Sequence, residues 1–113
     1  MEKKSTIFCD IDGTLLKYRK FNTYTTVKAE PIQSTVNFLR EQHLKGHMVV
    51  LTTARPDEML EHTLQELKEC NIPFDKIITG LERGPRYLIN DMEPLQEEKR
   101  AIAINLVRDE GFN

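Results

Sequence analysis

Two aspartates, Asp10 and Asp12, stand two residues apart where the apolar run Ile7-Phe8-Cys9 gives out. In an extended segment, residues i and i+2 project to the same side. Both carboxylates therefore face one pocket if the backbone stays extended through Ile11. Gly13 follows and permits a turn that a side chain would oppose. Two carboxylates this close repel, so the pocket needs a positive partner: a divalent cation, a lysine or an arginine. Such a pair can attack a substrate through one carboxylate and move protons through the other. A plainer reading also accounts for the spacing, namely a strand followed by an acidic N-cap or Asx turn.

These residues need elements to hold them. Lys4 to Cys9 reads as a first strand, apolar enough to be covered on both faces. Thr14 to Pro31 is an irregular polar arm carrying Tyr18, Phe21, Tyr24 and Val27, with a short hairpin expected over Thr23 to Val27. Pro31 opens a helix with Ile32, Val36, Leu39 and Leu44 on its apolar face, and Gly46 ends it. Met48 to Thr52 is a second strand. Pro56 and Asp57 begin a second helix with Leu60, Thr63, Leu64 and Leu67 facing the core, stopped by Asn71 and Pro73. Ile77-Ile78 and Tyr87-Leu88-Ile89 are further short strands. A last helix runs from about Leu95, with Ala101, Ile102, Leu106 and Val107 inside and Glu97 to Arg100 on its wet face. Strands alternating with helices imply an α/β fold with a doubly wound parallel sheet of about four strands, in the order 3-2-1-4, in one domain spanning 1–113.

In that sheet three strands end on one edge in polar residues: Asp10 and Asp12, then Thr52, then Asn90 and Asp91. The set suits phosphoryl transfer from a phosphomonoester. A carboxylate approaching a phosphate meets repulsion of about 4 kcal/mol in an intermediate dielectric. Mg²⁺ on Asp10, Asp91 and the Asp12 carbonyl would remove it. The Thr52 hydroxyl can donate to a phosphoryl oxygen, and an arginine can neutralise the transferring group.

The sequence Asp10-Ile11-Asp12-Gly13-Thr14 resembles the DxDGT motif of the haloacid-dehalogenase-like (HAD) phosphohydrolases. Val49-Val50-Leu51-Thr52 resembles their second motif and Leu88-Ile89-Asn90-Asp91 their fourth. The resemblance implies that Asp10 is the nucleophile, Asp12 the general acid/base, and Thr52 a catalytic hydroxyl. Arg86 is the favoured third-motif base, with Arg83 in reserve and Lys76 competing. Gly13, Thr53, Arg55 and Arg83 are the implied substrate contacts, and Asp10, Asp12, Asp91 and Asn90 the implied Mg²⁺ ligands. Two departures stand out: Asn90 replaces an acid, and no clear lysine occupies the third motif. Neither gap used for cap insertion in the family has room here, which implies a capless enzyme whose site is open, closed by a partner copy or closed against a large substrate.

Composition narrows the field. With 16 Lys and Arg against 18 Asp and Glu the net charge is -2, and the cations are scattered, which argues against nucleic acid. No apolar run approaches membrane-spanning length, and the amino terminus lacks a signal-type core. Cys9 and Cys70 read as packed thiols, so a cytoplasmic setting is expected. His43, His47 and His62 have no ligand spacing and read as packing or solvated groups. Tyr18, Phe21 and Tyr24 are either packing for the arm or a lip over the site. Arg55 either touches substrate or pairs with Asp57 or Glu58. The expectation is a Mg²⁺-dependent phosphatase acting on a small sugar phosphate or similar metabolite, as a homo-oligomer. The alternative is a non-catalytic or degenerate, receiver-like phosphate-binding module. Asp12 separates them, because a phospho-acceptor needs no acid/base two residues on.

Overall fold

The computed structural model describes residues 3–95 and 98–113. Three parallel strands form its sheet: β1 (Thr6–Asp10), β2 (Met48–Thr52) and β3 (Lys76–Ile78), in spatial order β1-β2-β3. β2 is central because Val49-Val50-Leu51 is apolar on both faces, and all three residues are buried. The register aligns Asp10 with Thr52 and Thr52 with Ile78, so the three strands end in one row.

Helix α1 (Gln33–Leu44) joins β1 to β2, and α2 (Leu60–Glu69), preceded by a 3₁₀ turn at Asp57–Met59, joins β2 to β3. Val36 and Leu39 of α1 and Leu67 of α2 share one core with Ile11, Leu15, Leu16, Val49 and Leu51. Ile7, Cys9 and Ile77, the alternate residues of the outer strands, pack against it. The α/β class and the parallel sheet follow the strand-and-helix alternation in the sequence.

Several boundaries differ from expectation for local reasons. Pro31 stands before α1, bridged to Leu16, and Ile32 caps the helix. Leu44 is 81% exposed because it lies five residues, about 140°, round the helix from Leu39. Leu60 and Leu64 of α2 are partly exposed, while Thr63, Glu66 and Leu67 are buried. The arm holds no hairpin. It makes a 3₁₀ turn at Phe21–Thr23, and the Thr26 and Val27 N–H groups both donate to the Thr23 carbonyl.

The largest correction is in the last third of the chain. Tyr87-Leu88-Ile89 forms no strand, so β1 is an edge strand rather than a central one and the order is 3-2-1. Among the described residues beyond Leu95 none is helical. Instead β4 (Met92–Glu93) pairs antiparallel with β5 (Glu98–Lys99); Glu97 lies outside the described residues. A helix of about a dozen residues is marginal in water unless it packs on something. Ile102, Ile104 and Val107 are exposed, so nothing supplies that packing. Phe8, on the uncovered face of β1, is 54% exposed. A groove of about 620 Å³ runs beside β1, with Phe8, Phe38, Leu88, Ile104 and Phe112 among its walls. The final residues pack again: Gly111 adopts φ +65° against Ile32, Ser34 and Thr35, and Phe112 stacks on Phe38 at 4.4 Å.

Candidate active site

The turn after β1 is held by a single carbonyl. Ile11 O accepts the N–H groups of Thr14, Leu15 and Leu16, and the Gly13 N–H donates to Leu16 O at 2.7 Å. Ile11 itself is fully buried. The turn pivots on this apolar residue and sends Asp10 and Asp12 into the same cavity of about 170 Å³, as their spacing requires. Thr53, Arg55, Arg83 and Arg86 line that cavity too, with Tyr18, Phe21, Tyr24 and Arg108. The aromatics of the arm are thus a lip over the site. Gly13 adopts φ +87° beside it.

Asp10 is the accessible carboxylate. The Thr14 hydroxyl donates to its Oδ2 at 3.1 Å, and Arg86 Nη2 stands 3.9 Å from its Oδ1. Desolvation raises its pKa above the ordinary carboxylate range, opposed by the Thr14 hydrogen bond and the Arg86 charge. Thr52 adjoins it across the β1–β2 register and lines the larger groove with Asp10 and Arg86. Burial, helped by the Asp10 charge, pushes the Cys9 thiol up to about 12, which leaves it inert as a nucleophile.

Asp12 is held differently. Arg55 grips it bidentately, Nε to Oδ2 at 2.9 Å and Nη2 to Oδ1 at 2.8 Å. The Tyr24 hydroxyl donates to Oδ2 at 3.1 Å. Arg55 is only 2% exposed and neither caps α2 nor pairs with Asp57 or Glu58; its Nη1 donates to Thr63 and Glu66. Glu66 also receives Arg19 Nη1 and Nη2, at 2.7 and 2.9 Å. Both guanidiniums lie over the Tyr24 ring, that of Arg55 at 4.3 Å and that of Arg19 at 5.0 Å from its centre. Burial alone would raise the Glu66 carboxyl; the hydrogen bonds and charges of Arg19 and Arg55 outweigh it and hold the group below its ordinary value. Burial first, then the Asp12 charge, raises the Tyr24 phenol. The Thr53 hydroxyl accepts the Arg55 N–H at 3.0 Å, so it serves the turn that aims Arg55.

Not all the expected residues gather. Asp91 carries an 84% exposed side chain beside Arg100, and neither it nor Asn90 lines the cavity. Lys76 begins β3, two residues before the row that holds Asp10 and Thr52. Among the described residues no group of three His, Cys, Asp and Glu could hold a metal ion. Both Asp12 oxygens accept from Arg55, so Asp10 is the less encumbered carboxylate of the cavity. Asp91 and Asn90 stand outside the cavity, so the Mg²⁺ ligand set expected from the sequence is not gathered there; what the cavity offers of it is the Asp10 carboxylate and the Asp12 main chain. Residues that sequence reasoning passed over are Glu66, Arg19 and Arg108. Glu66 sits three residues from Thr63 on the face of α2 that turns inward, which was the available signal.

Comparison with known proteins bears on the family and the fold. A family model described as haloacid dehalogenase-like hydrolase matches residues 7–78, which contain Asp10, Asp12, Thr52 and Arg55. A crystal structure of a structural-genomics target from Vibrio cholerae is similar at a TM-score of 0.59 and 20% identity, over 81% of this chain and 85% of that one. That likeness concerns the fold. A search of curated proteins finds none that matches significantly. No helix among the described residues is long and apolar enough to cross a membrane.

The buried network makes a prediction about acid stability. Glu66 has a lower pKa folded than unfolded, so its contribution is complete above the unfolded value, ordinarily 4.5, and is lost as pH falls through the folded one. Glu66→Gln should cost about 3 kcal/mol near neutral pH, because it strips one partner from two buried guanidiniums. The gap between wild type and variant, read by urea unfolding, should narrow as pH is lowered to about 3. A gap that stays constant would contradict the network. With its DxDGT-type turn and the matched span of 72 residues, more than half its length, the chain belongs to the haloacid dehalogenase-like hydrolase family.

Proposed function

We propose that the protein is a phosphatase acting on phosphomonoesters of small metabolites through an aspartyl-phosphate. The observation that carries this reading is the division of labour between two carboxylates of one cavity. Asp10 is accessible beside Arg86, and Asp12 is fixed by Arg55. An Asp10 oxygen attacks phosphorus and the ester P–O bond breaks. The Thr52 hydroxyl and Arg86 offset charge on the transferring group. The departing alkoxide takes a proton from Asp12. Asp12 then removes a proton from water, which attacks the acyl-phosphate and frees phosphate and Asp10. On Asp12, Oδ2 holds two donors and Oδ1 one. Oδ1 is therefore the oxygen with a lone pair left for the proton.

Members of this family typically require Mg²⁺. We propose that Asp91, with Asn90 beside it, would join Asp10 and the Asp12 carbonyl in holding the ion. No cap is assigned, since the arm from Thr14 to Pro31 is short; we propose that a second copy of the chain walls the site. The exposed edge and face of β1 support that assembly, because an unpaired strand edge templates further pairing. A second reading, a phosphate-binding module without turnover, draws on the commitment of both Asp12 oxygens to Arg55 and Tyr24.

Phosphate release from a panel of phosphomonoesters, with and without Mg²⁺, tests the proposal. Asp10→Asn should abolish release, because an amide cannot form the acyl-phosphate. Asp12→Asn should slow alkyl esters by about 10²- to 10⁴-fold. Asp91→Ala should remove the Mg²⁺-induced rise in melting temperature. Wild-type rates in Asp12→Asn would contradict the acid/base assignment. No release from any ester by the wild type would favour the binding module. Light scattering should report a dimer or larger, and a fully active monomer would contradict the shared wall.

A further inference from the structure

With Arg86 beside Asp10, two other arginines of the cavity are left without an assigned partner in the reaction, Arg83 and Arg108. Arg108 is the better placed, because the end of the chain is fastened to the catalytic turn at this point. The Asp109 N–H donates to the Gly13 carbonyl at 2.8 Å. The Asp109 carboxylate accepts the Tyr18 N–H at 2.7 Å. The Arg108 guanidinium carbon lies 4.2 Å from the centre of the Tyr18 ring. Gly13 makes room for this side chain, since a Cβ there would stand 3.2 Å from Arg108 Cγ. Asp109 adopts φ +66° to complete the connection, a conformation that an ordinary tail would avoid. Two residues further, Gly111 seats the tail on the start of α1.

A guanidinium stacked by its face on an aromatic ring keeps its edge N–H groups free for an oxyanion. Among the described residues Arg108 has no carboxylate partner to satisfy them. The charge balance points the same way. The buried set of Asp12 and Glu66 with Arg19 and Arg55 sums to zero. What remains around the cavity is one carboxylate, Asp10, against Arg83, Arg86 and Arg108. Arg86 is placed to serve the phosphoryl group, which leaves cationic donors at the rim where the organic part of an ester must lie.

We propose that Arg108, propped on Tyr18, binds a second oxyanion on the leaving group, so that the preferred substrates are phosphomonoesters that also carry a carboxylate or a second phosphate. This inference rests on the phosphatase reading and adds to it a substrate class. It assigns Tyr18 as the positioning residue for Arg108. A neutral polyol phosphate would occupy the same cavity without using the rim.

The test compares 3-phosphoglycerate with glycerol 3-phosphate, which differ by a carboxylate, and adds a bisphosphate paired with its monophosphate. A charge-assisted bond of this kind corresponds to about ten- to hundredfold in kcat/KM. Wild type should prefer the doubly acidic member of at least one pair by that factor. Arg108→Met should bring the ratio close to one, mainly through KM, and Arg108→Lys should keep part of it. Tyr18→Leu should lower the ratio while Tyr18→Phe, which keeps the stacking face, should not. A ratio unchanged in Arg108→Met overturns the proposal. So does ready turnover of both members of every pair at equal efficiency, which leaves the phosphatase reading standing. If wild type releases phosphate from none of them, the phosphatase reading fails. Calorimetric binding of the same pairs then decides on Arg108: loss of the preference in Arg108→Met supports it, and an undiminished or absent preference overturns it.

Discussion

The bidentate grip of Arg55 on Asp12 is the contact on which the site depends. It joins the end of β1 to the turn after β2, and through Glu66 and Arg19 it reaches α2 and the arm. Four charges are withdrawn from water together, and their attraction offsets that cost only if the geometry is good. Most of the hydrogen-bonding capacity is used. Arg19 Nε has no protein partner, a shortfall of about 1–3 kcal/mol if no water reaches it. A hydrophobic quartet would stabilise the fold as well or better. What the ionic set supplies is an Asp12 that cannot rotate, at a fixed place beside Asp10. Tyr24 adds its hydroxyl to the same carboxylate and its ring to both guanidiniums. The arm is thereby tied into the buried ionic network rather than being a surface connection.

The parallel sheet was legible because its signals are local. Val49-Val50-Leu51 reads as a buried strand, and the break at Gly46 and the stop at Asn71 fall where the backbone takes positive φ. Asp10 and Asp12 were legible through the period of two. The partners of Asp12 were not, because they come from 43 and 12 residues away in sequence. Arg55 could be placed near the site but not assigned to Asp12. Glu66 reads as a solvated helix residue until two arginines arrive beside it. Arg108 carried no pattern at all, and its place follows from the backbone contact between Asp109 and Gly13. Residues 87–107 misled for a different reason. Their apolar residues suit a strand and a helix only if each has the other to pack on, and without that mutual support neither forms.

The open edge of β1 and the separated Asp91 belong to the same circumstance. An edge strand with an exposed Phe8 and a groove at its side leaves space for one more strand. Asp10 ends that strand, so whatever occupies the edge also approaches the Asp10 carboxylate. The groove and the reactive cavity share Asp10 and Arg86 among their walls.

The central claim is that Asp10 receives the phosphoryl group while Asp12, fixed by Arg55, moves the protons. Mass spectrometry of quenched Asp12→Asn protein after exposure to an aryl phosphate examines it directly. An aryl leaving group departs without a proton, so the first step survives while hydrolysis of the intermediate is slowed. The account predicts a phosphoryl mass increase on the peptide carrying Asp10. A phosphoryl group found on a different residue, or rapid turnover with no modified peptide, would contradict it.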